Sequence, residues 1–185
     1  MTEREPIKVI ADILIDELDL DAGQVMLGYQ KTNILTAGLY VSLSYVSSKV
    51  IGVKSELVDV GLGAMKEYQY VSVQHAIQID LMSYDGTART RKMEVAMALS
   101  SFMAQRAQSD HNLQIAPFVS PFMDASEQEE TRFFHRYITT VLVTALTEKS
   151  KSTKEYYDNF TEPEVHVNAE KDTQFGGVNP VADPF

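Results

Sequence analysis

The chain has 185 residues, 44% of them hydrophobic and 23% charged, a composition typical of one soluble domain with a sizeable buried core. Sixteen basic against 26 acidic residues give a net charge of −10, which disfavours nucleic-acid binding through a basic surface. Cysteine is absent, and this excludes disulfides, thiolate metal sites and cysteine catalysis. No basic leader precedes an apolar run, and no stretch approaches the roughly 20 apolar residues that span a bilayer, so we expect no membrane partner.

The first predicted element is an amphipathic helix over residues 7–18, since apolar residues recur there at helical spacing. Pro6 suits the first helical position, where a missing N–H costs nothing. We expect the helix to end near Gly23, because glycine readily adopts the left-handed conformation of a C-terminal cap.

A short strand at residues 24–27 and a longer one beginning at Leu39 follow. Residues 39–46 alternate between apolar and polar with a period of two, which predicts a half-buried strand. Residues 47–60 continue with β-branched side chains, and Gly52 marks a bulge or turn. Together these segments predict a long β-hairpin arm, with residues 61–63 as a flexible break.

The clearest strand runs through residues 71–81, where Val71, Val73, His75, Ile77, Ile79 and Leu81 share one face. It ends at a turn in which Asp85 or Thr87 can cap the next helix. That helix is predicted to continue to about Gln108. Its buried stripe is expected to comprise Val95, Ala96, Leu99, Phe102 and Met103.

The rest of the sheet is predicted from weaker patterns. Residues 113–119 favour a short strand, and residues 124–130 an acidic loop. Residues 132–146 form a long strand that is partly apolar on both faces, which indicates a central position in the sheet. Residues 153–160 favour a helical turn. The predicted fold class is α+β, with a mixed or antiparallel β-sheet, two packed helices, a long β-hairpin arm and an extended C-terminal tail.

The domain organisation follows from the same patterns. Residues 1–160 form a single α+β domain, and residues 161–185 form an acidic, extended tail with little periodicity. We expect such a tail to be held by another chain. The aromatic cluster of Tyr156, Tyr157 and Phe160 either closes the end of the core or anchors an interface.

No motif in the sequence indicates catalysis, a cofactor or a metal. The four histidines share no ligand-like spacing, and His75, on an apolar face, is more typical of a hydrogen-bonded core histidine. The paired carboxylates lie in helix flanks or loops without the apolar surroundings that raise a pKa. Residues 61–63 lack the third glycine and following helix of a dinucleotide site, and the Lys-Ser/Thr of a P-loop. We therefore expect a non-enzymatic protein without cofactors.

The order of these elements resembles that of the tail terminator (neck, or tail completion) proteins of long-tailed bacteriophages. The matching pieces are the helix at 7–18, the strand Gly38-Leu39-Tyr40-Val41-Ser42-Leu43, the strand from Val73 to Tyr84 with its following helix, and the strand at 133–146 with Arg136-Tyr137. The last matching piece is Tyr156-Tyr157-Asp158-Asn159-Phe160. The likeness covers roughly residues 5–160 and leaves the acidic tail unmatched.

The resemblance implies a structural protein of the virion. Its subunits form a hexameric ring that caps the tail tube, stops its polymerisation and joins the tail to the head connector, with DNA passing through the lumen without sequence-specific binding. Implied partners are further copies of the chain, the tail tube protein, the connector or neck proteins, and a sheath protein if the tail is contractile. Before incorporation the chain would reside in the host cytoplasm. A net negative charge suits a lumen along which DNA slides.

Three elements are expected to form interfaces: the arm at 44–60, a strand edge on the second long strand, and the tail at 161–185. The candidate residues are Ser44, Val46, Ser48, Val50, Gln74, Gln78, Asp80, Tyr156, Tyr157, Phe160, Phe175 and Phe185. Two alternatives remain open: a head-side neck adaptor or tail-tube-like subunit, and a small cytoplasmic enzyme of unknown type.

Overall fold

The computed structural model describes residues 5–28, 37–59, 65–117, 119–129 and 132–152. In these residues three helices pack on a seven-stranded mixed sheet, which confirms the predicted α+β class. The chain therefore has two layers, with the core between the helices and one face of the sheet.

The first helix, α1, spans Pro6–Glu17, with Pro6 in its first turn as predicted. Its core-facing residues are Ile7, Val9, Ile10, Ala11, Ile13 and Leu14. The predicted cap at Gly23 is wrong. The helix ends at Leu18, and the left-handed residue is Asp19, with φ of 48°. A short aspartate tolerates this conformation, so the chain turns four residues earlier than the glycine suggested.

The seven strands are β1 (Val25–Leu27), β2 (Tyr40–Asp59), β3 (Met65–Ser83), β4 (Leu113–Ile115), β5 (Met123–Asp124), β6 (Glu127–Glu129) and β7 (Arg132–Ser152). Their order is β1-β2-β3-β7-β4, and β5 and β6 also pair with β7. Only the short β1–β2 pairing is parallel. The predicted acidic loop is wrong in part, because residues within it extend the sheet as β5 and β6.

Strand β7 is internal, as its apolar residues on both faces predicted. It also continues beyond the predicted end to Ser152, which pairs with Lys66 of β3. The extension carries the sequence Glu148-Lys149-Ser150-Lys151-Ser152, which has no apolar alternation. The partner strand therefore holds these residues in the sheet. One such cross-strand pair, Glu67 with Lys151, joins opposite charges.

The predicted second helix is two helices, α2 (Thr87–Leu99) and α3 (Phe102–Asp110). The break follows from Ser101, whose side chain accepts a hydrogen bond from the Ala104 N–H at 3.0 Å and so starts a new helix. At the start of α2 the capping residue is Gly86, with φ of 81°. Asp85 contributes as predicted, because its Oδ1 accepts from the Thr87 N–H at 3.0 Å.

One cluster of buried residues joins the helices to the inner part of the sheet. From the sheet it receives Val41 and Leu43 of β2, Ile77, Ile79 and Leu81 of β3, and Tyr137, Val141 and Val143 of β7. These positions are in register with one another, so they share one face, here called the helix-side face.

Candidate interaction surfaces

The outer parts of the three long strands extend past the helices as a three-stranded sheet, here called the arm. It comprises residues 49–59, 65–74 and 144–152, which meet in the register row Lys49–Gln74–Thr144. Eleven residues of β2 give it a length of roughly 35 Å. In β2 every arm residue except Glu56 is exposed. The predicted hairpin is thus present, with β7 as a third strand along its whole length.

Apolar side chains are exposed on both faces of the arm. Val50, Val53 and Leu57 lie on the helix-side face, with Val53 71% exposed. Val58 and Leu146 lie on the opposite face and are also exposed. An antiparallel sheet ordinarily packs one face against a core. Several large apolar side chains exposed on both faces of one element are more than a solvated sheet normally shows, and this favours a surface that contacts another molecule.

The outer edge of β2 is open over most of its length. β1 pairs only with Val41–Leu43, and Gly28 donates one further bond to the Leu43 carbonyl. From Ser44 to Val58, β2 has no strand partner on this side among the residues that the structure describes. Such an edge is a template for pairing with a strand of another chain.

Polar contacts join β2 and β3 within the arm. Lys54 Nζ lies 2.5 Å from Glu56 Oε2, and the Tyr70 hydroxyl donates to Glu56 Oε1 at 3.2 Å. The Lys54 hydrogen bond, followed by that of Tyr70, lowers the pKa of Glu56 below its ordinary 4.5. Burial and then the bond to Glu56 raise the pKa of Tyr70.

The arm carries five lysines and four carboxylates, so it is close to neutral.

Four predicted interface residues of β2 are divided between the two faces of the sheet. Register shifts at Tyr45/Ser47 and Val50/Gly52 mark two bulges, and Val46 is the extra residue of the first. Ser44 pairs with Gln78 on the face away from the helices, whereas Ser48 and Val50 pair with His75 and Val73 on the helix-side face. Each bulge exchanges the odd and even positions of β2, so these candidates do not share one face of the sheet. At Gly52, where the sequence predicted a bulge or a turn, the structure has a bulge.

The sequence predicted a strand edge at Gln74, Gln78 and Asp80. This prediction is wrong, because β3 is paired on both sides. They lie together on the face away from the helices. Asp80 is buried and bonds Arg136 Nη2 at 2.6 Å, and Gln78 Nε2 donates to its other oxygen at 2.8 Å. Arg136 pairs with Met82, next to Asp80 in the sheet, so the ion pair is a diagonal cross-strand contact.

His75 lies at the border between the core and the arm. Its Nδ1 is 2.8 Å from the Ser48 hydroxyl, and its ring packs against Tyr45 at 5.3 Å between centroids. It lines a cleft of about 310 Å³ together with Glu5 and His111. A nucleophile–base pair needs a third group that orients the base. Among the described residues His75 has no carboxylate partner, so the Ser48 bond is best understood as a cross-strand pair.

Two predicted core residues are exposed instead. Phe102 is 78% exposed, and Met103 is half-exposed. The buried stripe of α2 includes Val95 and Leu99, and the helix break at Ser101 ends it before Phe102 and Met103. On α3 the buried residue is Ala104.

The tail candidates Tyr156, Tyr157, Phe160, Phe175 and Phe185 lie outside the described residues. The helical turn at 153–160 and the flexible break at 61–63 also lie outside them.

The net charge of −10 is confined to two segments of the sequence. Residues 5–21 hold six carboxylates and one lysine, and residues 153–185 hold seven carboxylates and two lysines. The residues between them carry twelve charges of each sign. The acidic surface of the described fold is therefore the outward side of α1, where Asp16, Glu17 and Asp19 are exposed, and not the arm.

The described part of the chain contains no group of three or more His, Asp and Glu side chains that could hold a metal ion. None of its helices is long and apolar enough to cross a bilayer. These features define an α+β fold whose most distinctive surface, among the described residues, is an exposed three-stranded arm. Comparison with protein-family models and with curated proteins finds no match for this chain.

Proposed function

We propose that the chain is a structural subunit that closes into a ring through its arm, and that the ring is a bacteriophage tail terminator. In this proposal the chain performs no bond-making chemistry and acts through its surfaces. The observation that carries the proposal is the arm itself, which extends roughly 35 Å from the core with exposed apolar residues on both faces.

A ring requires head-to-tail contacts, in which two different surfaces of one subunit meet. The arm offers two such surfaces. One is the open edge of β2 from Ser44 to Val58. The other is the outer edge of β7 at residues 147–150, where no described strand pairs; it lies beyond the last bond on this side, which the Leu146 N–H donates to the Asn112 carbonyl. Pairing of the second edge with part of the first edge of a neighbour would bury the paired backbone and continue the sheet between subunits.

The distribution of charge favours a particular lining for the channel through which DNA passes. A DNA-repelling lining requires carboxylates. In the described fold these are concentrated on the outward side of α1, whereas the arm is close to neutral. The proposal therefore assigns the arm to contacts with neighbouring subunits and the tail tube protein, and the acidic side of α1 to the channel. The head connector would contact the end of the ring that faces away from the tail tube.

The test is the native mass and the image of the purified full-length chain. We expect single rings of six copies of the 20.7 kDa subunit. Val53→Asp, in the exposed arm, should reduce them to smaller species. Met123→Asp places the same charge at a 64% exposed position outside the arm and should leave the rings intact.

Two results would contradict the proposal. A wild-type chain that stays monomeric at micromolar concentration would exclude a ring formed by the chain itself. Open-ended tubes would favour a tail-tube-like subunit, because a terminator stops at one ring.

A further inference from the structure

The junction of α2 and α3 carries a second exposed apolar surface, separate from the arm. It consists of Met93, Met97, Phe102 and Met103 and is here called the Met–Phe surface. Phe102 is 78% exposed and Met97 71%. Thioethers and an aromatic ring grouped in this way form an adaptable binding surface, since methionine packs against varied shapes and favours contacts with aromatic rings.

The outer side of α2 is built differently from that of an ordinary surface helix. Arg89, Met93 and Met97 are spaced four residues apart, so they form one exposed stripe. The opposite side contributes Ala88, Val95, Ala98 and Leu99 to the core. A surface helix normally presents charged or polar residues on its outer side, whereas the outer stripe of α2 carries two exposed methionines after Arg89. The stripe therefore has the composition of a contact surface, with one cation at its start.

The two helices also carry the opposite charge to α1. Residues 87–110 hold four basic and two acidic side chains. Two of the cations already have partners within the fold. Arg91 Nη2 donates to the Leu18 carbonyl at 2.8 Å, and Lys92 Nζ lies 4.3 Å from the centre of the Tyr137 ring. Arg89 is exposed and lies on the same stripe as the methionines.

We infer that the C-terminal segment of the same chain, residues 153–185, docks on the Met–Phe surface. The segment has the complementary chemistry, with seven carboxylates against two lysines and the five aromatic residues Tyr156, Tyr157, Phe160, Phe175 and Phe185. Its aromatic rings would pack against the methionine thioethers, and its carboxylates would pair with Arg89. The acidic side of α1 repels the segment, and the arm has a smaller net charge per residue than α2 and α3.

The length of the segment permits this contact within one chain. It begins after Ser152, at the outer end of the arm, while α3 packs on β4, which pairs with β7 at Ala145. Seven residues of strand separate these points, roughly 25 Å. Thirty-three residues can span at most about 110 Å, so the segment reaches the surface with length to spare. A tethered segment also has a high effective concentration at a surface within its reach.

The inference does not depend on the proposed ring, since it concerns one chain. The competing possibility is that the segment clasps an adjacent chain, as the sequence alone suggested. Crosslinking of the full-length protein distinguishes the two. A photoreactive phenylalanine analogue is placed at Phe102, and, as the matched control, at Val53 of the arm, which is exposed to a similar degree. Isotopically heavy and light chains are mixed before irradiation.

We expect residue 102 to crosslink to peptides of 153–185 several-fold more than residue 53 does, with heavy–heavy and light–light products only. Equal labelling from both positions would overturn the inference. Mixed heavy–light products would overturn it in favour of the clasp between chains.

A charge variant tests the electrostatic part of the same contact. Arg89→Glu should lower the crosslinking from residue 102 several-fold, because it places like charges together. Arg132→Glu makes the same change at an exposed position outside both the arm and the Met–Phe surface and should leave the yield unchanged. An equal effect of the two variants would contradict docking at the helix junction. Both positions are exposed, so neither variant should fail to fold.

Discussion

The inner and outer halves of the same three strands differ sharply in what surrounds them. In the inner half, Leu43, Ile79 and Val141 are fully buried beneath the helices. In the outer half, Val53 and Leu57 of the same β2 strand lie in solvent. Strand pairing is continuous through both halves. Backbone hydrogen bonding thus extends a sheet well beyond its core, and the stabilisation from apolar burial remains in the helix-covered half.

The strongest test of this difference compares two truncations in β2. Leu43→Ala should cost about 3 kcal/mol of the free energy of unfolding, because it leaves a cavity in a close-packed core. Val53→Ala should change it by less than about 0.5 kcal/mol. Denaturant-induced unfolding measures both, at a protein concentration low enough for the chain to be studied as a monomer. A comparable loss from Val53→Ala would mean that the arm is packed in the free chain.

Ion pairs should show the same contrast on a smaller scale. Asp80→Asn should cost about 1–3 kcal/mol, because it removes the charge that compensates a partly buried Arg136. Glu56→Gln, which breaks an exposed pair with Lys54, should cost clearly less, because solvent screens an exposed pair. The unfolding free energies of the two variants are compared under the same salt conditions. Equal losses would remove the distinction between the two halves.

Substitutions of two adjacent serines, Ser100 and Ser101, test whether the cap at Ser101 causes the break between α2 and α3. Ser101→Ala should cost about 1 kcal/mol, because the Ala104 N–H loses its capping oxygen. Ser100→Ala should lie within about 0.5 kcal/mol of the wild type, since its hydroxyl only bonds back to the Ala96 carbonyl at an exposed position. Unfolding monitored by circular dichroism gives both values. A larger loss at Ser100 would assign the break to a different cause.

The smallest expected effect is the response of the arm to acid. The folded-state pKa of Glu56 lies below its ordinary 4.5, so the ionised carboxylate stabilises the arm above pH 4.5. This stabilisation is lost as the pH falls through the lowered value. Amide exchange at Lys54 and Tyr70 should therefore accelerate below pH 4.5 in the wild type, relative to Glu56→Gln. Identical profiles in the two proteins would show that the Glu56 contacts do not form in solution.

The elements of the core were predictable because their patterns are local and regular. The period of two in residues 71–81 and the helical spacing in 7–18 each specify one face. The sequence also placed β7 inside the sheet from the apolar residues on both of its faces. These are features that a single strand or helix encodes by itself.

The errors arose where a neighbouring element decides the outcome. Residues 148–152 carry no strand pattern and are held by β3. Asp80 follows Gln74 and Gln78 on the more polar face of its strand, and its burial is explained by the position of Arg136 on β7. Phe102 and Met103 continue an apolar stripe in the sequence, but the cap at Ser101 ends that stripe before it reaches them. The faces on which the interface candidates of β2 lie depend on its two bulges, and the first of these, at Val46, has no glycine to mark it in the sequence.

The two bulges in β2 have a mechanical consequence. From its pairing with Met82 to its pairing with Met65, β2 uses 20 residues where β3 uses 18. The β3–β7 pairing has no such excess, since residues 66–83 meet residues 135–152 one for one. The surplus backbone, up to about 7 Å, must be taken up as bending and extra twist. Because β2 is longer than the strands that it pairs with, the sheet curves along its length. Deleting Val46 and Ile51 together should straighten it while every other side chain keeps its face.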